Sequence, residues 1–207
     1  MLANPAKREP FIVPCDNVDV DPTCRPGVFP EAPQLRDELV VLRNWSYDDL
    51  PCIEEASRDL VIPGGTSVPN PFSDEAGRAF VERQWSRQTS GSGLSLAIVE
   101  AATGTAAGMM GLFHRAQPGI VGVGYWTVTS RRRRGFTRRS LRLFSRWALG
   151  VPGIDRIEAL IEPDNVGSIR VAEDAGFRRE GLLRKYLSTE SARVDALLYS
   201  LIREDIA

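Results

Sequence analysis

What this 207-residue chain has little of narrows the field before any motif is read. It carries three cysteines, Cys15, Cys24 and Cys52, an odd number with no CxxC pair. That pattern argues against a disulfide framework and against a zinc site, and it predicts a reducing, cytoplasmic setting. The single histidine, His114, gives a cysteine–histidine nucleophilic pair poor support. No apolar run approaches the roughly 18 residues that a membrane span needs, and the first residues lack the apolar stretch of a signal peptide. A surplus of one charge is missing too: the formal net charge is −1, which offers nucleic acid no general attraction. Hydrophobic residues at 43% and charged residues at 26% are ordinary for a globular chain long enough to bury one core.

What is present is unevenly spread. Pro5, Pro10, Pro14, Pro22, Pro26, Pro30 and Pro33 are half of all the prolines. Proline at that density denies both helix and strand their hydrogen bonds, so residues 1–33 are expected to form an extended or irregular arm preceding one domain over residues 34–207. Within the domain, β-prone residues 39–43 lead into Ser46-Tyr47-Asp48-Asp49, a helix N-cap signal, and a helix over 48–59. A loop punctuated by Pro63-Gly64-Gly65 and Pro69-Asn70-Pro71 precedes a helix over about 73–88. Strands are predicted over 94–100, 108–115 and 120–128, turned at Thr103-Gly104 and at Gln117-Pro118-Gly119. A helix over 138–149, a strand over 156–162, a helix over 165–175 ended by Gly176, and strands over 178–187 and 194–202 follow. Hairpins mixed with crossovers give an α/β (α+β) domain built on one mixed sheet.

Two segments carry chemistry. Arg132-Arg133-Arg134-Gly135-Phe136-Thr137 sits between a strand and a helix, where free backbone N–H groups and the helix dipole favour an anion. Gly135 suits a place where backbone must approach a ligand closely. About thirty residues on comes Pro163-Asp164-Asn165-Val166-Gly167-Ser168, again at a helix start.

Taken in order, Gly124-Tyr125-Trp126, Arg132-x-x-Gly135-x-Thr137, Glu162-Pro163-x-Asn165-x-x-Ser168-Ile169-Arg170-Val171, Ala175-Gly176-Phe177 and Glu180-Gly181 resemble the GNAT N-acyltransferases. The closest likeness is to the branch of ribosomal-protein-alanine N-terminal acetyltransferases, and it runs from about Leu35 to the C-terminus. The resemblance implies a mostly antiparallel central sheet of six to seven strands flanked by helices. That sheet would splay at a bulge in the strand before the pyrophosphate turn. It implies direct transfer of an acyl group, most simply from acetyl-CoA, with succinyl-CoA or another acyl-CoA left open, to a primary amine. The amine would belong to a protein N-terminus or a small molecule. A homodimer is left open, and no membrane, nucleic acid or metal is called for.

Residue by residue, the resemblance assigns the coenzyme to Trp126, Thr127 and Val128, to the turn Arg132, Arg133, Arg134, Gly135, Phe136, Thr137 and Arg138, and to Asn165 and Ser168. Asn165 would hold the pantetheine arm and Ser168 would protonate the departing thiolate. Each has a plainer reading: Asn165 as a helix N-cap, Ser168 as a solvent-facing helical serine, and Trp126 or Tyr125 as core aromatics. The arginines from Arg131 to Arg146 read as coenzyme-phosphate ligands near Gly135, as a solvated helix face at Arg142 and Arg146, or as a nucleic-acid patch. Two positions depart from the family pattern. Thr137 stands where glycine or alanine is usual, and Gly122 stands where many relatives carry a glutamate. Candidate general bases are therefore His114, Glu54, Glu55 and Asp59, or a water chain. Asp195 and Tyr199 match a C-terminal family pattern as supporting residues. The alternative to an enzyme is a module that binds coenzyme A or another phosphate ligand without turnover.

Overall fold

A computed structural model describes residues 32–189 and 192–206. The expected proline-rich arm therefore lies, but for its last two residues, outside the described residues. The chain runs β1 (Leu35–Arg36), β2 (Val40–Arg43), α1 (Leu50–Ser57), α2 (Asp74–Thr89), β3 (Gly93–Glu100), β4 (Ala106–His114), β5 (Ile120–Thr127), α3 (Phe136–Gly150), β6 (Arg156–Ile161), α4 (Val166–Asp174), β7 (Arg178–Ser188) and β8 (Arg193–Ile202). These form one eight-stranded sheet in the order β1-β2-β3-β4-β5-β6-β8-β7. The strand beyond the expected count is the two-residue β1, which pairs Leu35 with Leu42 and Arg36 with Val41. A segment so short carries no alternation to read.

Local signals set the ends. Ser46 and Asp49 form a capping box on the short 3-10 turn before α1, and Pro51 occupies that helix's first turn. Ser73 Oγ accepts from the Ala76 N–H to open α2. The hairpins turn on Gly104 (φ 71°) and Gly119 (φ 80°), conformations that glycine adopts without strain.

The two sheet faces carry separate cores. On one, β3–β6 and β8 pack under α3, whose Phe136, Leu141, Phe144, Ala148 and Leu149 recur at helical spacing and are all buried. On the other, Trp45, Phe80, Val81, Met109 and Trp126 pack beneath α1 and α2. Each fully buried Leu, Val, Phe or Met among them contributes about 1.5–3 kcal/mol. Among the described residues no helix is long and apolar enough to cross a membrane.

β5 and β6 are parallel, and their ladder ends after Ile120↔Arg156, Val121↔Ile157 and Gly122↔Glu158. Beyond that rung β5 continues on β4 as far as Thr127, while β6 continues on β8 as far as Ile161. The strands therefore part. β5 stays in unbroken register with β4 throughout, and the register shifts of the sheet fall in β3–β4 and β7–β8. The opening thus arises from β6 following β8, with no irregularity in β5 itself.

Candidate active site at the parting of β5 and β6

The phase of β5 determines which peptide groups the opening receives. Val128 N–H donates to the Ala107 carbonyl (2.9 Å), and the Ile120 carbonyl accepts from Arg115 N–H (3.1 Å). With a period of two, the even-numbered residues of β5 turn their peptide groups to β4, and Val123, Tyr125 and Thr127 turn theirs into the opening. Of the expected trio Trp126, Thr127 and Val128, only Thr127 faces the opening. Its carbonyl already accepts from Arg132 Nε at 3.0 Å. The side chains of all three are buried.

The chain then makes a 3-10 turn over Thr129–Arg131 and passes through two left-handed residues, Arg133 (φ 62°) and Gly135 (φ 84°), before α3 begins. Among the described residues the N–H groups of Arg133 through Arg138 find no protein acceptor, and the first donation back into the turn is Arg139 N–H to the Gly135 carbonyl. Successive unengaged donors at the start of a 15-residue helix form an anion cradle. The Phe136 side chain lies in the core, so it offers the cradle only backbone. Thr137 directs its hydroxyl to Thr127 Oγ1 at 2.7 Å, tying helix to strand.

The arginine side chains are largely committed elsewhere. Arg131 and Arg134 both pair with Glu100, Arg134 at 2.6 Å. The Thr103 hydroxyl, with Arg134 and Arg131 and against the effect of burial, holds the Glu100 carboxyl below the usual range. Arg132 pairs with Asp59 at 2.6 Å. Arg138 stands 3.7 Å from Asp174, and Arg139 3.4 Å from Asp37. Arg133 is exposed and makes no ion pair among the described residues. Arg142 and Arg146, expected on a solvated face, border a small cleft of about 190 Å³ beside Glu173, Asp174 and Asp205.

Across the opening, Asn165 caps α4: its Oδ1 accepts from the Ser168 N–H at 2.9 Å. The cap reading of Asn165 therefore holds, whatever else its amide does. Ser168 is half-buried rather than solvent-facing, and its Oγ lies 2.7 Å from the Tyr125 hydroxyl. Tyr125 contributes to the core, as the plainer reading had it, and also reaches across to α4. Burial pushes its phenol up to about 12, against the effect of the Ser168 bond.

The candidate bases fare less well. Burial would raise Asp59, but the N–H groups of Val61 and Ile62, the Thr129 hydroxyl and Arg132 outweigh it and hold the carboxyl low. Glu55 accepts from Ser130 N–H and Oγ, both at 2.8 Å. Both acids thus brace the segment before the cradle. Glu54 pairs with Arg58. His114 ends β4 six rungs from the Gly108↔Thr127 pair, about 20 Å along the strand. Burial pulls its imidazole below the ordinary value, against a hydrogen bond with the Gly91 backbone. At Gly122 a Cβ would come within 2.1 Å of the Phe113 ring, so that ring fills the place of the absent glutamate. Its neighbour across the last parallel rung, Glu158, is held by Arg156 at 2.9 Å and faces Arg115 at 3.7 Å. Asp195 Oδ1 accepts from Lys185 N–H, and Tyr199 donates to Glu173.

Sequence reasoning missed Glu100, Phe113 and the Tyr125–Ser168 contact. None carries a spacing signal, since their partners lie on other elements. Beside α1 a groove of about 900 Å³ is lined by Glu54, Arg58, Asp59, Pro63, Asn70 and Phe72 among others, and so takes in the loop between α1 and α2.

Residues 40–178 match the family model described as Acetyltransferase (GNAT) domain. An uncharacterized N-acetyltransferase, p20, of Bacillus licheniformis is 30% identical over 74 residues, 36% of this chain and 42% of that protein. The match thus spans less than half of that relative's length. In fold the chain is similar to RimJ of Mycobacterium smegmatis in complex with CoA-disulfide (TM-score 0.69, 21% identity, covering 86% of this chain and 90% of that one). It is likewise similar to a ribosomal-protein-S5-alanine acetyltransferase of Vibrio fischeri (TM-score 0.69, 21% identity, 84% and 98%).

Proposed function

Because the chain belongs to the GNAT acetyltransferase family, we propose that it is a coenzyme A-dependent N-acetyltransferase that passes an acetyl group directly to a primary amine. The observation that carries this reading is one juxtaposition. A cradle of unengaged N–H groups at Arg133–Arg138 stands at the end of the strand whose outward peptide groups line the opening. Pyrophosphate suits the cradle, with exposed Arg133 and Arg138 beside it for phosphate charge. The amides of a pantetheine arm suit the outward groups of Val123 and Tyr125, and the side-chain amide of Asn165. An N–H of β5 directed at the thioester carbonyl would stabilise the oxyanion that forms when the amine adds.

Acetyl is favoured over a carboxylated acyl group. Arg115 pairs with Glu158, and Arg156 with Glu158 and Glu180, so both offer a second carboxylate little. For the acceptor we favour a protein α-amine. Its pKa of about 7.7–8.0 leaves a useful neutral fraction at pH 7, so a water chain suffices as base where Asp59, Glu55 and Glu54 are engaged by other groups. The open groove beside α1 has room for a peptide end, and RimJ and the S5-alanine enzyme are similar in fold. We place the protein in the cytoplasm, in keeping with the buried free thiol of Cys52. A homodimer is one assembly open to it, and light scattering reads which forms.

Isothermal titration with acetyl-CoA, succinyl-CoA and coenzyme A, for the native chain and for Gly135→Trp, tests the cradle. Micromolar binding that the variant loses supports it, and no binding to any of the three defeats the reading. The engagement of Asp59 and Glu158 by arginines and of Glu55 by Ser130 favours one alternative, a module that binds coenzyme A without turnover. Acetylation of any amine or peptide in a panel eliminates it.

A further inference from the structure

Resting on the acyltransferase reading, we propose that Tyr125 is a positioning residue that orients the Ser168 hydroxyl toward the leaving sulfur. The two residues stand on opposite sides of the opening, Tyr125 on β5 and Ser168 in the first turn of α4. Two contacts join them: the phenol oxygen lies 2.7 Å from Ser168 Oγ and 3.3 Å from the Ser168 carbonyl oxygen. Only the first has the length of a good O–H···O bond, about 2.5–3.0 Å. Either oxygen of the shorter pair can donate, and in the arrangement we propose the phenol donates to Oγ.

That assignment fixes the serine. With Oγ accepting from Tyr125, the serine's own hydrogen is free to point elsewhere, and no other side chain among the described residues takes it. The reverse arrangement would spend the serine hydrogen on the phenol and leave nothing for a departing group. Ser168 is held from a second side through its N–H, which donates to Asn165 Oδ1 at 2.9 Å. Tyr125 is itself buried among β-strand and α3 side chains, so the orienting group cannot swing away.

The chemistry that uses this is thioester cleavage. The C–N bond forms, the C–S bond breaks with its electron pair on sulfur, and the nitrogen's surplus proton passes to water. The sulfur takes a proton back, so amide and free thiol are the products. A hydroxyl hydrogen bond at that sulfur lowers the cost of its departure, and Tyr125 keeps the hydroxyl turned the right way.

Tyr125→Phe keeps the ring in the core and removes only the phenol oxygen. We expect kcat to fall about tenfold, the effect of one lost oriented hydrogen bond in the transition state. The Kd for acetyl-CoA by titration, and the KM for the acceptor, should stay within about twofold. Ser168→Ala should lose as much, and the double variant no more than Ser168→Ala alone, because the two act as one unit. An unchanged kcat in Tyr125→Phe, or losses that simply multiply, overturns the proposal. So does a parallel loss of coenzyme affinity, which would make the contact a clamp on the opening. No turnover by the native chain across the amine panel defeats the acyltransferase reading and this proposal together. Turnover with an insensitive Tyr125→Phe defeats this one alone.

Discussion

The hydroxyls of Thr127 and Thr137 stand 2.7 Å apart and join the last residue of β5 to the first turn of α3. Thr137 occupies the position where the family usually carries glycine or alanine, and this bond draws its hydroxyl toward the strand. Thr137→Ala leaves the buried Thr127 hydroxyl without its partner. The expected cost is about 1–2 kcal/mol, a fall of roughly 2–8 °C in Tm. Affinity for acetyl-CoA should change less than about threefold. Calorimetric melting and titration read the two quantities separately, and a tenfold loss of affinity would show instead that Thr137 touches the coenzyme.

Asp59 and Arg132 couple the end of α1 to the segment before the cradle, with the Asp59 side chain 6% exposed and that of Arg132 23% exposed. Removing either partner leaves the other poorly compensated. Asp59→Asn and Arg132→Gln should each cost about 1–3 kcal/mol, and the double variant about 1 kcal/mol less than their sum. Urea denaturation of the four proteins measures the cycle. Strict additivity would mean that the ion pair braces nothing.

Acid should expose the Arg156–Glu180 pair. The Arg156 guanidinium and the Ser200 hydroxyl, against the effect of burial, draw the Glu180 carboxyl down to about 2. An unfolded glutamate titrates near about 4.3. A folded value below the unfolded one gives stability that is fully present above that value and lost as pH falls toward 2. Solvent reaches 41% of the Glu180 side chain, and screening reduces the contribution to about 1 kcal/mol. Arg156→Met should flatten the fall of Tm between about pH 4.3 and 2 while leaving its slope near neutrality unchanged.

Gly122 and Phe113 share one space: a Cβ on the glycine would lie 2.1 Å from the ring. Gly122→Ala should therefore cost about 1–3 kcal/mol by overpacking. Adding Phe113→Leu should recover part of that loss. Thermal melts of the three variants test it, and a neutral Gly122→Ala would show that the ring yields freely.

Much of the fold was legible because its signals are local. The α3 face reads from Leu141, Phe144 and Ala148, and the hairpin at Thr103-Gly104 reads from a glycine that takes φ 71°. The cradle was legible for the same reason, since Gly135 and its flanking strand and helix are contiguous in the chain. The candidate bases were not. Asp59, Glu55 and His114 have chemistry that suits a base, and their partners on other elements give Asp59 and Glu55 different work.

The sequence by itself determined the order of elements, the strand–turn–helix that makes an anion cradle, and the capping asparagine of α4. Each depends on residues a few positions apart, where periodicity and turn chemistry act. The tertiary structure alone decided which peptide groups of β5 face the opening, because that phase follows from the register with β4. It also decided that Glu100 and Asp59 take up three of the turn's four arginines, and that Tyr125 meets Ser168 across the gap. Such contacts join residues tens of positions apart, and no local spacing encodes a partner that only the packing of the sheet brings near.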